Sequence, residues 1–472
     1  MSEQTNFGPL FQSQTTESET TQLSFNGRVP SWLEGSLFRT GPSLFDIKGK
    51  KLNHLFDAMA KFYKLSFSGS SQKVFFTSRF AQSDAYNKAA STGVLQTNEF
   101  GSSPKRSRLQ TFLQAFDFKA TDNPNVNVFF INQRFFACTE TPFVTEFEPS
   151  NLNTLGHLNL DDNLKGQVST AHPHFDFSTG KLFNFLIEYG PTSTYKLFSW
   201  KQGENKRQLI ASIKTRRPAY LHSFALTSNY VVLVLGPFAV NPLELLLCGK
   251  PFVANFNWKP DLGTSIYVIN KHSGKVTPLE CDPFFVFHHI NACEENDRIL
   301  VDLLAYENAN IVQDLYLNKL ASKNNAPAIP LATRLTIDLT NKTLDKEIFS
   351  EKGIELPTIN YKQCNSTRYQ HFYGIGENKA GDFLNQIVKI SSKSGTIEAS
   401  WHEENCYPSE AIFVANPDKK GDGVLISVIT NIELSNSFCL ILDANDLSEL
   451  ARIPIPHLIP FHFHGQFREG LL

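Results

Sequence analysis

Short apolar runs separated by turn chemistry recur along most of this chain, and that alternation commits it to an all-β architecture. Phe175-Asp-Phe-Ser-Thr-Gly180-Lys-Leu-Phe183 places two such runs around a Ser/Thr/Gly turn. Ile266 to Val276, Leu335 to Leu344, Ile387 to Ile397 and Leu440 to Leu447 repeat the arrangement. A period near two, interrupted by residues that accept turn conformations, favours hairpins. Taking Asn270, Asn341, Ser392 and Asn445 as turn markers, the gaps are 71, 51 and 53 residues. These exceed the roughly 40–50 residues of a bare four-stranded blade, as expected where blades carry insertions. A β-propeller is the expected fold, with a large sandwich as the alternative.

No linker stands out after the first twenty residues, so residues 22–472 read as one unit behind a polar tail of residues 1–21. Lys plus Arg (44) nearly cancels Asp plus Glu (46), which argues against a phosphate-backbone binder and so against a nucleic-acid partner. Phe is unusually common, 41 of 472 residues, which indicates a large aromatic core. The polar start carries neither a basic n-region nor an apolar stretch, so no signal or transit peptide is read. Seven scattered cysteines form no CxxC pair, giving neither a disulfide framework nor a zinc knuckle. The longest apolar run, Tyr230 to Val240, is broken by Gly236-Pro237 and is too short to span a bilayer. The expected compartment is cytoplasmic.

Two segments leave the strand pattern. Ser102 to Ala115 combines Lys105, Arg106 and Arg108 with Leu109, Phe112 and Leu113. Pro242 to Phe256 sets Leu243, Leu245, Leu246 and Leu247 beside Lys250 and Phe252. Apolar anchors next to cations suit an interfacial element, while insertions packed on the protein surface would look the same.

The histidines cluster in four apolar contexts: Ala171-His172-Pro173-His174, Tyr220-Leu-His222-Ser223, Phe287-His288-His289-Ile290 and Phe461-His462-Phe-His464. Neutral imidazole is the commonest ligand for iron, zinc and copper. Ligands 50, 66 and 176 residues apart suit strands that converge on one axis, since a linear zinc motif would be tighter. Any one of these His is more often a satisfied core residue than a ligand, and it is the four together that raise the metal reading to stand level with it. Spacing does not choose within the doublets, because His172 and His174 share a strand face, as do His462 and His464. Metal-bound imidazoles need a partner for the other ring nitrogen, and Glu140, Glu355 and Glu410 are isolated acids in apolar settings. No GxSxG, HExxH or P-loop is present.

At these residues the sequence resembles the carotenoid cleavage oxygenase family. The resemblance runs from about Trp32 to Phe467 and rests on Leu37-Phe-Arg39-Thr-Gly41-Pro42, His54-Leu-Phe-Asp57, Thr170-Ala-His172-Pro-His174, His222-Ser-Phe224, Phe287-His288-His289, Tyr407-Pro-Ser-Glu410 and Phe463-His464-Gly465. It implies a seven-bladed β-propeller with a helical cap over an axial non-haem Fe(II), held by His172, His222, His288 and His464. Glu140, Glu355 and Glu410 fall where the family has the carboxylates that orient three of the four rings. Phe100, Thr139 and Tyr316 match tunnel-wall positions, where ordinary core packing is the competing reading. The animal branch, which includes β-carotene oxygenases and the retinoid isomerohydrolase, is the most similar. Two departures stand out: Ala58 follows Phe56-Asp57 where the family commonly has Gly, and Ser102-Ser-Pro-Lys-Arg106 replaces a Pro-Asp-Pro-Cys-Lys stretch.

The resemblance implies an Fe(II)- and dioxygen-dependent enzyme that cleaves a carotenoid or apocarotenoid double bond, with central cleavage of β-carotene to retinal as the leading expectation. Apocarotenoid cleavage, retinoid isomerohydrolysis and a non-catalytic carotenoid carrier are the alternatives. Four neutral imidazoles would leave an octahedral ion its full charge and two open positions. A membrane-dissolved polyene calls for an apolar tunnel, and with such a substrate Leu109, Phe112, Leu113, Leu243, Leu245, Leu246 and Leu247 become the expected rim of a monotopic membrane contact.

Overall fold

Each of the five turn signals closes a hairpin in the computed structural model, which describes residues 7–104, 120–247, 250–320 and 327–470. His174–Asp176 pairs with Lys181–Glu188, and Thr264–Asn270 with Val276–Cys281. Leu331–Asp338 pairs with Thr343–Thr358, Gln386–Ser391 with Ile397–His402, and Asn436–Asp443 with Glu449–Ile455. Gly395 shows why one turn needs glycine. Its φ is +68°, and a Cβ there would sit 1.5 Å from the Phe349 carbonyl oxygen.

The result is an all-β chain of antiparallel sheets with a few short helices. Four- to seven-stranded sheets succeed one another along the sequence. The seven-stranded one is two four-stranded sets joined by the 16-residue strand Thr343–Thr358. Its residues 343–353 pair with Leu331–Asp338, and its residues 354–358 with His371–Gly376.

The two ends of the chain are exchanged between the first and last sheets. Gly465–Glu469 adds an edge strand against Glu34–Leu44, while Asn26–Gly27 pairs with Glu449–Ile455. Tyr63, Leu65, Val74 and Phe76 of the first sheet share one buried cluster with Val424, Ile426, Ile441 and Ile453 of the last. Each such side chain contributes about 1.5–3 kcal/mol on burial, so the closure is apolar as well as hydrogen-bonded. Gly41 lets the strands meet there, because a Cβ would approach the His462 ring to 2.5 Å.

Part of the segment read as a polar tail is structured. Phe7 and Leu10 are buried, Phe7 packs on Phe383 and Tyr407, and Ser18–Leu23 forms a strand against Lys73–Phe80. Three apolar anchors in Phe7-Gly-Pro-Leu10-Phe11 outweigh the polar average of the stretch. Among the described residues no helix is long and apolar enough to cross a membrane.

Gly41→Ala should cost about 1–3 kcal/mol, the usual penalty for overpacking a filled interior. Thermal denaturation reads this as a lower unfolding midpoint. An unchanged midpoint would mean that His462 can retreat from the closure.

Candidate metal centre

The four histidines lie at strand ends or at irregularities in the ladder. His172 sits between Val168–Ser169 and His174–Asp176, His222 just precedes Ala225–Leu226, and His464 just precedes Gly465–Glu469. His288 lies within Phe285–Glu295, where the pairing register shifts between Val286 and His289. Such bulges re-aim side chains that a regular pleat would point elsewhere. The structure also separates the doublets. His174 bonds the Tyr361 hydroxyl and the Phe224 carbonyl, His289 bonds the Ser223 hydroxyl, and His462 faces Ser43. The remaining four rings come together.

Their Nε2 atoms form a close set. His172 to His222 is 3.1 Å, His222 to His288 is 3.3 Å and His288 to His464 is 3.2 Å, with all four ligand atoms within 4.8 Å of one another. On the outer side, Nδ1 of His222 meets Glu140 at 2.6 Å, Nδ1 of His288 meets Glu355 at 2.5 Å, and Nδ1 of His464 meets Glu410 at 2.9 Å. A carboxylate accepts, so each of these Nδ1 atoms donates its N–H, and the neutral ring then has a bare lone pair at Nε2. Three lone pairs facing one another at 3.2–3.3 Å repel unless a cation lies between them. The donor set therefore fits one metal ion, held by uncharged nitrogen ligands.

Electrostatics keep the rings in that form. Burial, followed by the neighbouring rings, holds His172 well below the usual imidazole range. Burial also lowers His222 and His464, against an opposing pull from Glu140 and Glu410. For Glu355, burial pushes the carboxyl up, but the His288 ring, the Tyr306 hydroxyl and the Leu356 amide together outweigh it and leave the group below its ordinary value.

Each carboxylate is held from behind. The Tyr220 hydroxyl donates to both Glu140 oxygens at 2.7 and 2.8 Å, and the Tyr306 hydroxyl donates to Glu355 at 2.5 Å. Glu410 accepts the Gly465 amide at 3.1 Å and lies 4.0 Å from the Arg39 guanidinium, which also donates to the carbonyls of Glu410 and Phe463. These supports were missed in the sequence reading. Tyr220 had a signal, since it sits two residues before His222 and so shares its direction in an extended chain. Arg39 stood in the motif Leu37-Phe-Arg39-Thr-Gly41-Pro42 but without a role, and Tyr306 had no signal, because the partners of both are remote in sequence.

An apolar cavity opens on the histidines. Its walls include Phe56, Phe287, Phe461, Phe463, Leu315 and Leu356, and it reaches His222, His288 and His464. Phe56 stacks over His222 with an interplanar angle of 15° and a centroid distance of 6.3 Å. Phe100, Thr139 and Tyr316 do not line this cavity. Phe100 stands behind Phe56 at 5.1 Å, Tyr316 packs on His54 at 5.0 Å, and Thr139 is buried next to Glu140.

Of the expected rim, Leu109, Phe112 and Leu113 lie outside the described residues. Leu243, on the short helix Pro242–Leu247, is 54% exposed, whereas Leu245 is buried and packs into the core. Two residues along a helix turn by about 200°, which accounts for the opposite fates. The side chains of Leu246 and Leu247 are outside the description.

Comparison with known proteins matches this geometry to an existing group. A family model described as retinal pigment epithelial membrane protein matches residues 11–469. A "Carotenoid-cleaving dioxygenase, mitochondrial" from Macaca fascicularis is 30% identical, over 93% of this chain and 90% of that protein. A "Carotenoid isomerooxygenase" from Galleria mellonella is 28% identical, over 95% and 94%. Among solved structures, a variant of Synechocystis apocarotenoid oxygenase superposes with a TM-score of 0.88 at 26% identity, covering 98% of both chains. The cobalt-substituted form of that oxygenase superposes at 0.87 with the same identity and coverage.

Stripping metal with a chelator should lower the thermal midpoint, because an ion at 100 times its Kd adds about 2.7 kcal/mol to the folded state. His222→Ala should bind little metal and lose that chelator response. An equal response in both proteins would place the ion elsewhere.

Proposed function

The chain belongs to the carotenoid oxygenase family whose model is described as retinal pigment epithelial membrane protein, and from that premise we propose that it cleaves β-carotene at the central double bond to give retinal. It is an oxygenase of the carotenoid-cleaving class. The observation that supports a metal-dependent oxygenase acting on an apolar polyene is the meeting of four imidazoles, three of them oriented by carboxylates, with an apolar aromatic-walled cavity.

We assign His172, His222, His288 and His464 as the ligands of an Fe(II) ion, with Glu140, Glu355 and Glu410 orienting three of the rings. When bound, the ion supplies dioxygen activation. The chain's own residues supply the rest. Uncharged ligands would keep the ion's charge undiminished, and Glu140, Glu355 and Glu410 accept the outer N–H of His222, His288 and His464, which leaves the inner nitrogen of those three rings to face the metal. Phe56, Phe287 and Phe463 offer flat apolar faces to a polyene and exclude water from the reacting bond.

Residues 22–472 are read as one seven-bladed propeller with short helices capping the metal site. Six sheets of four or more strands support this, one of them being two sets joined by a shared strand. Asn310–Asp314 and Leu317–Leu320 flank Leu315 at the cavity wall, as a cap would. The exposed Leu243 supports a monotopic membrane contact on the cytoplasmic side, through which a membrane-dissolved substrate enters. Cleavage of a shorter apocarotenoid is the second reading, favoured by the 0.88 superposition on a protein named as an apocarotenoid oxygenase.

Incubating the Fe(II)-loaded protein with β-carotene and resolving the products by chromatography tests the assignment. Retinal as the sole product is expected. A long apocarotenal would show an eccentric cut, product only from apocarotenals would favour the second reading, and bound carotenoid without any product would make the protein a carrier. Leu243→Ser should weaken binding to phospholipid vesicles, and undiminished binding would remove the Pro242–Leu247 helix from the contact.

A further inference from the structure

The three carboxylates behind the histidines are secured in unequal ways. Glu410 has a main-chain donor, the Gly465 amide, and a guanidinium beside it. Glu140 takes the Tyr220 hydroxyl across both oxygens. Glu355 is arranged differently. Its Oε2 accepts the His288 Nδ1–H at 2.5 Å and the Leu356 amide at 2.9 Å, whereas its Oε1 accepts, among the described residues, one hydrogen bond, from the Tyr306 hydroxyl at 2.5 Å. The backbone beneath Glu355 is also irregular. The register shifts between Glu355 and Thr358, and Leu356 adopts φ +51°, a left-handed conformation that a side chain such as leucine rarely takes. The regular ladder that sets Glu355 opposite Ile375 thus ends at this residue, and only one side of it is held by pairing.

Tyr306 stands on firmer ground. It ends strand Arg298–Tyr306, pairs with Phe285 across the ladder, and packs its ring at 6.0 Å from Phe285 and 5.9 Å from Phe287. Only 4% of it is exposed. Burial and the adjacent carboxylate push the phenol well above its usual range, so the hydroxyl keeps its proton and donates. Without that hydroxyl, Oε1 of Glu355 becomes a buried charged acceptor with no partner, a costly state relieved by turning the carboxylate. The His288 ring would turn with it, since Oε2 is the acceptor of its Nδ1–H.

We propose that Tyr306 is a positioning residue of the metal centre: its hydroxyl pins Glu355, and through Glu355 it fixes the His288 ring with the Nε2 lone pair aimed at the other three histidines. The inference rests on the reading that these histidines hold a metal ion. It adds a residue whose hydroxyl bonds the carboxylate rather than a histidine ring, and which stands in the wall of the same cavity as His288 and Glu355.

The test measures Co(II) affinity by chelator competition on metal-stripped full-length protein. Wild type is compared with Tyr306→Phe, Glu355→Gln, the double variant, and Tyr373→Phe. The last deletes an equally enclosed phenol bond, to the Ala444 carbonyl at 2.9 Å, away from the histidines. Tyr306→Phe should bind Co(II) about tenfold more weakly, the lower end of the range for supports of metal ligands, while Tyr373→Phe binds as wild type does. Because Tyr306 acts through Glu355, the double variant should bind no more weakly than Glu355→Gln alone. Unchanged affinity in Tyr306→Phe, an equal loss in Tyr373→Phe, or additive losses in the double variant would each overturn the proposal while leaving the metal centre standing. Failure of the wild type to bind Co(II) would overturn the metal centre itself.

Discussion

Everything at the centre of this protein depends on forcing uncharged imidazole lone pairs to face one another. Three Nε2 contacts of 3.1–3.3 Å are repulsive when each outer nitrogen carries the proton, and the carboxylates at 2.5–2.9 Å make three rings carry it there. Such a set suits a cation between the rings and needs a rigid frame that prevents them from swinging away. The frame is the sheet architecture, whose strand ends and bulges deliver side chains from separate sheets to one point. A flexible loop cluster could not hold four rings so close against their mutual repulsion.

The closure of the chain is tied to the same point. Gly465–Glu469 pairs with Glu34–Leu44, and His464 is the residue immediately before that strand. Arg39, opposite Gly465 in the ladder, reaches under the histidine to Ser409, to the carbonyls of Glu410 and Phe463, and near the Glu410 carboxylate. Both Nη groups of this fully buried guanidinium are used and a charge lies close, which offsets part of its burial, while Nε has no partner among the described residues. The last of the four histidines is thus set by the interaction that joins the chain's two ends, which couples folding to the completeness of the cluster.

The aromatic surplus has two uses. Much of it packs between sheets, as Phe38, Phe62, Phe135 and Phe147 do in one cluster. A smaller share, Phe56, Phe287, Phe461 and Phe463, faces the cavity next to the histidines. Sequence alone could not divide the two populations, because a phenylalanine in a filled core and one on a cavity wall sit in the same local pattern. Phe100 and Tyr316 illustrate the limit. They belong to the right neighbourhood and pack on Phe56 and His54, yet stand one layer behind the wall of this cavity. Leu245 turned inward for a similar reason, since a leucine run says that one helix face is buried without saying which.

By itself, the sequence determined that the chain is built of hairpins, that histidines in four apolar contexts and three isolated glutamates could form a metal centre, and that the whole resembles one enzyme family. Those features are local: a turn residue, a period of two, a short motif. Only the tertiary structure decided which member of each histidine doublet turns inward, because that choice comes from bulges such as the one at His288 and from competing partners such as Ser223 for His289. It also decided what stands behind the carboxylates. Tyr306 and Glu355 are 49 residues apart, and Arg39 and Glu410 are 371 apart. No local pattern encodes such pairings, since they are created only when separate strands, each folded for its own reasons, are brought to the same place.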